Sequence, residues 1–110
     1  MAVKRGDVVI IAHGERGRPR PAVVVQADEL GDDTSSVLVS PITSVLTERL
    51  PVRPMVETGA DNGLRLRSQI MTDKTLAVPR GHIRRVFGVL GPPTVERLGS
   101  ALLVVLGLAR

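Results

Sequence analysis

Cysteine is absent from this 110-residue chain, so neither disulfides nor thiolate-bound metal can hold its fold, as suits a cytoplasmic protein. Tryptophan and tyrosine are absent too, and Phe87 is the only aromatic residue. A nucleic-acid site here would lack the stacked aromatic platform of the common single-strand binders. Lysine is scarce: Lys4 and Lys74 are the only two among 15 basic residues. Long apolar runs are missing as well. The longest, residues 101–109, falls far short of the roughly 20 residues of a membrane span, so no membrane partner is expected. The opening residues Met1-Ala2-Val3-Lys4-Arg5-Gly6-Asp7 run straight into polar positions, which predicts no signal peptide.

What is present fits one folded domain over residues 1–110, because 43% of the residues are hydrophobic and the length suffices for one core. The formal net charge is +4. An arginine-heavy basic balance suits planar recognition of phosphate or carboxylate; the alternative is a genome that codes arginine by default.

Residues 7–12, D-V-V-I-I-A, are apolar on both parities, as in a strand covered on two sides. A basic loop with glycines and prolines occupies 13–21, and a second strand 22–26. An acidic turn at 28–35 leads to a third strand at 36–40, which Pro41 is expected to break. Residues 49–56 read as an edge strand because of Pro51 and Pro54. Further strands are expected at 66–71 and 84–90. After Gly91-Pro92-Pro93 the period changes. Thr94 is the expected N-cap, and Val95, Leu98, Leu102, Val105 and Ala109 recur at helical spacing. Leu103, Val104, Leu106 and Leu108 fill much of the remaining surface, more than one small sheet can cover. The expected architecture is therefore α+β, mainly β: a bent antiparallel sheet with a C-terminal helix that lies partly in a homodimer interface or is buried within the monomer.

No metal or cofactor constellation is visible. His13 and His82 lie far apart, and no Walker loop or dinucleotide fingerprint occurs. Ser40, Ser44 and Ser68 lack a nucleophile elbow. What remains is a cation and a hydroxyl. Arg20 precedes Pro21, which limits it to extended backbone, and Thr43 follows the third strand. On neighbouring strands the two could share one rim of the sheet. A guanidinium can neutralise charge building on a phosphorane-like transition state, and a carboxylate or histidine can take the proton of an attacking 2′-OH. The alternatives are a solvated loop cation at Arg20 and a turn-forming threonine bonded to its own backbone at Thr43.

These residues also carry a resemblance. V-K-R-G-D-V at 3–8, R-P-A-V-V-V at 20–25, V-S-P-I-T-S at 39–44 and A-L-x-x-x-L-G-L at 101–108 resemble, in order and spacing, the MazF/PemK family of toxin endoribonucleases. The resemblance implies an SH3-like, CcdB/PemK-like β-barrel with a C-terminal helix, assembled as a homodimer. It implies metal-independent cleavage of single-stranded RNA at short sequences, and an antitoxin whose acidic, flexible tail covers the RNA groove. Carried over by position, Arg20 and Thr43 are the catalytic residues, and Glu15 matches the family's glutamate five residues before the arginine. Ser44 and Asp73 fall with it on the substrate-binding side.

The chain also departs from the pattern. Arg16 replaces the usual glutamine after the glutamate, and Val9 an aromatic. S-Q-I-M-T-D-K-T-L-A-V at 68–78 stands against the family's S-V-V-x-x-[DE]-Q-I-R-T-I, so Lys74 replaces a glutamine and Leu76 an arginine. Arg16, Arg18 and Lys74 can grip the RNA backbone instead, which makes binding fall steeply with salt. His13 is an extra candidate acid or base, against a loop histidine without a role. Two other readings share the fold: a CcdB-like toxin that binds DNA gyrase without catalysis, and a relative that binds RNA without cutting it. The Arg20–Thr43 pair discriminates, because a protein-binding toxin has no use for it.

Overall fold

The computed structural model describes residues 2–12 and 17–110. Seven strands build a curled antiparallel half-barrel, closed on one side by one helix. The strands are β1 (Asp7–Ala12), β2 (Pro19–Val24), β3 (Ser36–Thr43), β4 (Met55–Val56), β5 (Ser68–Ile70), β6 (Leu76–Pro79) and β7 (Ile83–Val89), and the helix is α1 (Pro92–Val105). The strand order is β4-β5-β3-β2-β1-β7, with β6 beside β3.

β3 organises the sheet. One of its edges pairs with β2, through Ala22↔Pro41, Val23↔Ser40 and Val24↔Val39. Its other edge takes β6 along Ser36, Val37, Leu38 and Val39, then β5 at Ile42 and Thr43. The sequence suggested that Pro41 ends this strand; instead β3 runs through it to Thr43. The Pro41 carbonyl accepts from Met71 N at 2.8 Å, so its missing N–H points to the same edge, in the gap between the β6 and β5 ladders. No ladder bond is lost there. At the outer edge, β1 and β7 shift register between Val8 and Val9 and again between Ile10 and Ile11. Such bulges add the local bend that curls a sheet.

Alternating strand residues feed two apolar clusters, one on each face. Val8, Val23, Val25, Ile42, Ile70 and Leu98 belong to the first; Val9, Ala22, Val24, Val37, Val39 and Val78 to the second. The two-sided apolar pattern of residues 7–12 is thereby explained. α1 covers the first cluster through buried Leu98, with Val95 and Leu102 half-buried beside it. Arg97 ties the helix to β4 by donating from Nη1 to Met55 O at 3.0 Å.

Several boundaries differ from the sequence reading. Gly91, not Thr94, caps α1, because Pro92 and Pro93 occupy the first turn, where no N–H is needed. The helix closes at Gly107 (φ 76°), with Leu108 N bonded to Leu103 O at 2.8 Å, so Ala109 lies beyond it. The stretch 49–56 supplies only Met55–Val56 as strand, since Pro51 and Pro54 leave the rest as turns. Residues 76–79 form a strand that the sequence did not suggest.

Candidate functional site

Thr43 is the last residue of β3, and Arg20 the second of β2. The antiparallel β2–β3 register ends at Ala22↔Pro41. Continued by two residues past that last pair, it would set Arg20 against Thr43. Parity agrees: Arg20 continues the Ala22 and Val24 positions, and Thr43 those of Val37 and Val39, all four of which feed one cluster. Residues opposite each other on an antiparallel pair project from the same face. Pro21 and the buried valines behind it fix the backbone from which Arg20 projects.

Thr43, but not Arg20, lines a cavity of about 320 Å³ together with Pro21, Ser44, Arg65 and Ser68, with Ile42, Leu64 and Leu66 as its apolar wall. The Thr43 hydroxyl accepts a hydrogen bond from Val45 N at 3.1 Å. The self-bonded turn weighed from the sequence is therefore present, and it fixes the hydroxyl while leaving its proton free to donate. Arg20 is exposed and has no hydrogen-bond or ion-pair partner among the described residues. Arg18 is exposed on the approach to β2, and Ser44 is exposed at the cavity rim.

Two of the three candidate serines are committed elsewhere. Ser68 Oγ donates to Leu66 O at 2.8 Å, and Ser40 Oγ shares a hydrogen bond with Thr75 Oγ1 at 2.7 Å; both serines are buried.

Asp73 and Lys74 sit on the 3-10 turn Thr72–Lys74 after β5, and neither lines the Thr43 cavity. Asp73 is held in a fork by Arg53, whose Nε and Nη2 donate to its two carboxylate oxygens at 2.8 and 2.9 Å. Those hydrogen bonds hold the Asp73 carboxyl below its usual range against a small opposing effect of burial, and they raise Arg53 further. Lys74 is exposed. Glu15, Arg16 and His13 lie outside the described residues.

The structure adds residues that the sequence reading passed over. Arg65 lines the Thr43 cavity. A second hollow of about 500 Å³ is lined by Leu46, Thr47, Leu50, Arg53, Arg67 and Gln69, among others. The alternation Leu64-Arg65-Leu66-Arg67 is a strand-like signal that could have drawn attention to both arginines. Arg67 is partly engaged by Glu57, at 2.7 Å, in an exposed pair of small energetic weight. Among the described residues no group of three or more histidines and carboxylates could hold a metal ion. The chemistry on offer is the fixed hydroxyl of Thr43 in a hollow with the Arg65 guanidinium, and an exposed Arg20 guanidinium without a partner among the described residues. Such groups can bind a phosphodiester and stabilise charge developing on it.

Residues 4–106 match the family model described as a PemK-like, MazF-like toxin of type II toxin–antitoxin systems. The chain is 36% identical over 109 residues to a protein named probable endoribonuclease MazF from Mycolicibacterium smegmatis, covering 97% of this chain and 99% of that one. Among solved structures, an endoribonuclease in complex with its cognate antitoxin from a mycobacterial species superposes with a TM-score of 0.83 at 19% identity, covering 99% of both chains. The Mycobacterium tuberculosis toxin MazF-mt6 does so with a TM-score of 0.81 at 22% identity, covering 94% of this chain and 99% of that one.

Proposed function

This chain belongs to the PemK-like, MazF-like family of type II toxin–antitoxin toxins, and from that premise we propose that it is an endoribonuclease cutting single-stranded RNA at the Arg20–Thr43 rim. One observation supports the reading: the β2–β3 register, continued two residues past its last pair, would bring exposed Arg20 opposite the fixed hydroxyl of Thr43, which lines a cavity with Arg65. A non-catalytic gyrase binder has no need of that pairing.

The 2′-oxygen attacks the neighbouring phosphorus, forming the O2′–P bond and breaking the P–O5′ bond. The products are a 2′,3′-cyclic phosphate and a free 5′-hydroxyl. The 2′-OH proton leaves to a base, and a proton reaches the departing O5′. Glu15 and His13 are the candidates that the sequence offers for those transfers. Arg20 is not, since a guanidinium does not deprotonate in proteins. Its role is to neutralise the equatorial phosphorane oxygens while Thr43 donates its hydroxyl proton to one of them. Held in place beforehand, both groups stabilise the transition state without reorienting. Arg18, Arg65 and Lys74 add phosphate contacts on either side, Ser44 contacts the substrate at the rim, and Arg16 joins them from the β1–β2 loop. Asp73 contributes through the fork that fixes Arg53 at the second hollow.

The 2′-OH requirement makes DNA a non-substrate. The expected partners are a second copy of the chain and a cognate antitoxin with an acidic, flexible tail, drawn to the same arginines. No helix among the described residues is long and apolar enough to cross a membrane, and the proposed site of action is the cytoplasm.

The test is cleavage of a long, mixed-sequence single-stranded RNA in EDTA by wild type, Arg20→Ala and Thr43→Val. Wild type should give discrete fragments with cyclic-phosphate ends. Each variant should fold normally and lose roughly 100-fold or more in rate, as when a preorganised transition-state donor is removed. Intact RNA with folded wild type, or undiminished cleavage by folded Arg20→Ala, overturns the assignment.

A further inference from the structure

The loop that follows Thr43, residues 44–54, contains no strand or helix. Its first apolar side chains do not anchor it: Val45 is 77% exposed and Leu46 43%. Fixing such a segment in one conformation is entropically costly. Near Thr43, one side chain does most of the holding.

Gln69 is the central residue of β5 and is only 5% exposed. Its backbone lies opposite Thr43 on one side and Met55 on the other, so it sits between the two ends of the loop. Its Oε1 accepts from Thr47 N at 2.8 Å, and its Nε2 donates to Thr47 O at 2.9 Å. One amide thus satisfies both main-chain groups of Thr47, much as a neighbouring strand would. Nε2 also reaches Arg53 O at 3.5 Å, near the far end of the loop. The only other hydrogen bond holding residues 44–46 among the described residues is that from Val45 N to Thr43 Oγ1 itself.

Resting on the ribonuclease reading, we infer that Gln69 is a positioning residue for cleavage: by clamping Thr47 to the strand that pairs with Thr43, it fixes the Thr43 hydroxyl and the rim around Ser44. It touches no substrate in this role. Removing the clamp lets the segment 44–47 move, so Thr43 is misaligned in the transition state while the arginines that bind phosphate stay in place. The loss should therefore fall on kcat rather than on KM.

Gln69→Met keeps the length of the side chain and removes both hydrogen bonds. Its steady-state kinetics on a short RNA carrying the mapped cleavage site would be measured beside wild type and Val78→Ala, which loosens the second cluster where Val78 pairs with Val37, at the end of β3 away from Thr43. Expected is a kcat about tenfold lower or worse for Gln69→Met, with KM within about twofold of wild type and Val78→Ala at wild-type kcat below its melting temperature. The Thr47 amide should also exchange its hydrogen faster than in wild type, while the Val24 amide does not. If Gln69→Met does not fold, Gln69→Glu, which keeps the volume and the acceptor but faces Thr47 O with a second acceptor, supplies the same comparison. Wild-type kcat in the folded variant, or an equal loss in Val78→Ala, overturns the positioning role alone. A folded wild type that leaves RNA intact overturns the ribonuclease reading and the positioning role together.

Discussion

Asp73 carries a charge whose energy depends on one neighbour. The Arg53 fork lowers its folded-state pKa below the value of 3.8 expected without that environment. Its stabilising contribution is therefore complete above that value and is lost as pH falls through the lower folded one. The carboxylate side chain is 28% exposed, so solvent screens the pair and the contribution should stay under about 1 kcal/mol. Asp73→Asn should lower the urea midpoint slightly at pH 7, and the gap to wild type should narrow as pH falls below 3.8. Parallel midpoints for the two proteins across that range would show that the fork contributes nothing. The sequence made Arg20 and Thr43 visible because prolines next to valine strands announce where a side chain must project. It gave no such signal for Arg53 or Gln69. Their partners, Asp73 and Thr47, lie 20 and 22 positions away, and only the pairing of distant strands brings them together.

Among the elements, β7 accepts the loop at residues 59–63 against its backbone. Val89 N donates to Asp61 O at 2.8 Å, and a Cβ added to Gly88 would lie 2.4 Å from the Asn62 carbonyl carbon and oxygen. Backbone on backbone cannot yield as a flexible side chain does. Gly88→Ala should therefore cost about 1–3 kcal/mol, read as a fall in melting temperature, whereas Gly81→Ala, which meets nothing within 4 Å, should be close to neutral. An unchanged melting temperature for Gly88→Ala would mean that the loop does not pack there in solution. β1 was legible from its unbroken run of β-branched apolar residues, and α1 because its apolar pattern is long enough to show a helical period. β6 was not, because its four residues end at Pro79 and are strand only through pairing with β3. The continuation of β3 through Pro41 was hidden for a related reason: it depends on two partner strands meeting the same edge on either side of the proline.

For the molecule as a whole, the apolar surface left by α1 calls for a partner. Leu103, Val104, Leu106 and Leu108 remain exposed, the last two at 66% and 72%. A hollow of about 640 Å³ opens beside them, lined by Arg5, Leu38, Leu102, Leu103 and Leu106, among others. If the proposed homodimer uses this face, Leu106→Glu should give a folded monomer in sedimentation with a far-ultraviolet spectrum like that of wild type. Leu102 is a poorer probe, because it already packs on the first cluster and a glutamate there would bury an unpaired charge within the monomer. A Leu106→Glu protein that remains a stable dimer would exclude this face from the interface. The surplus of leucine at the C-terminal end announced that something must cover it; which copy of which surface does so is decided by shape, and shape is not written in periodicity.

The outermost pairing of the sheet joins β1 to β7, the first strand made to the last. β1 is ready as soon as Ala12 has been added, yet its outer edge stays bare until Val89 is reached. A chain released early, at any point short of β7, exposes a strand edge suited to aggregation rather than a completed sheet. During synthesis, then, a copy that stops short of β7 leaves the outer edge of β1 uncovered, and the sheet is finished only when β7 pairs there.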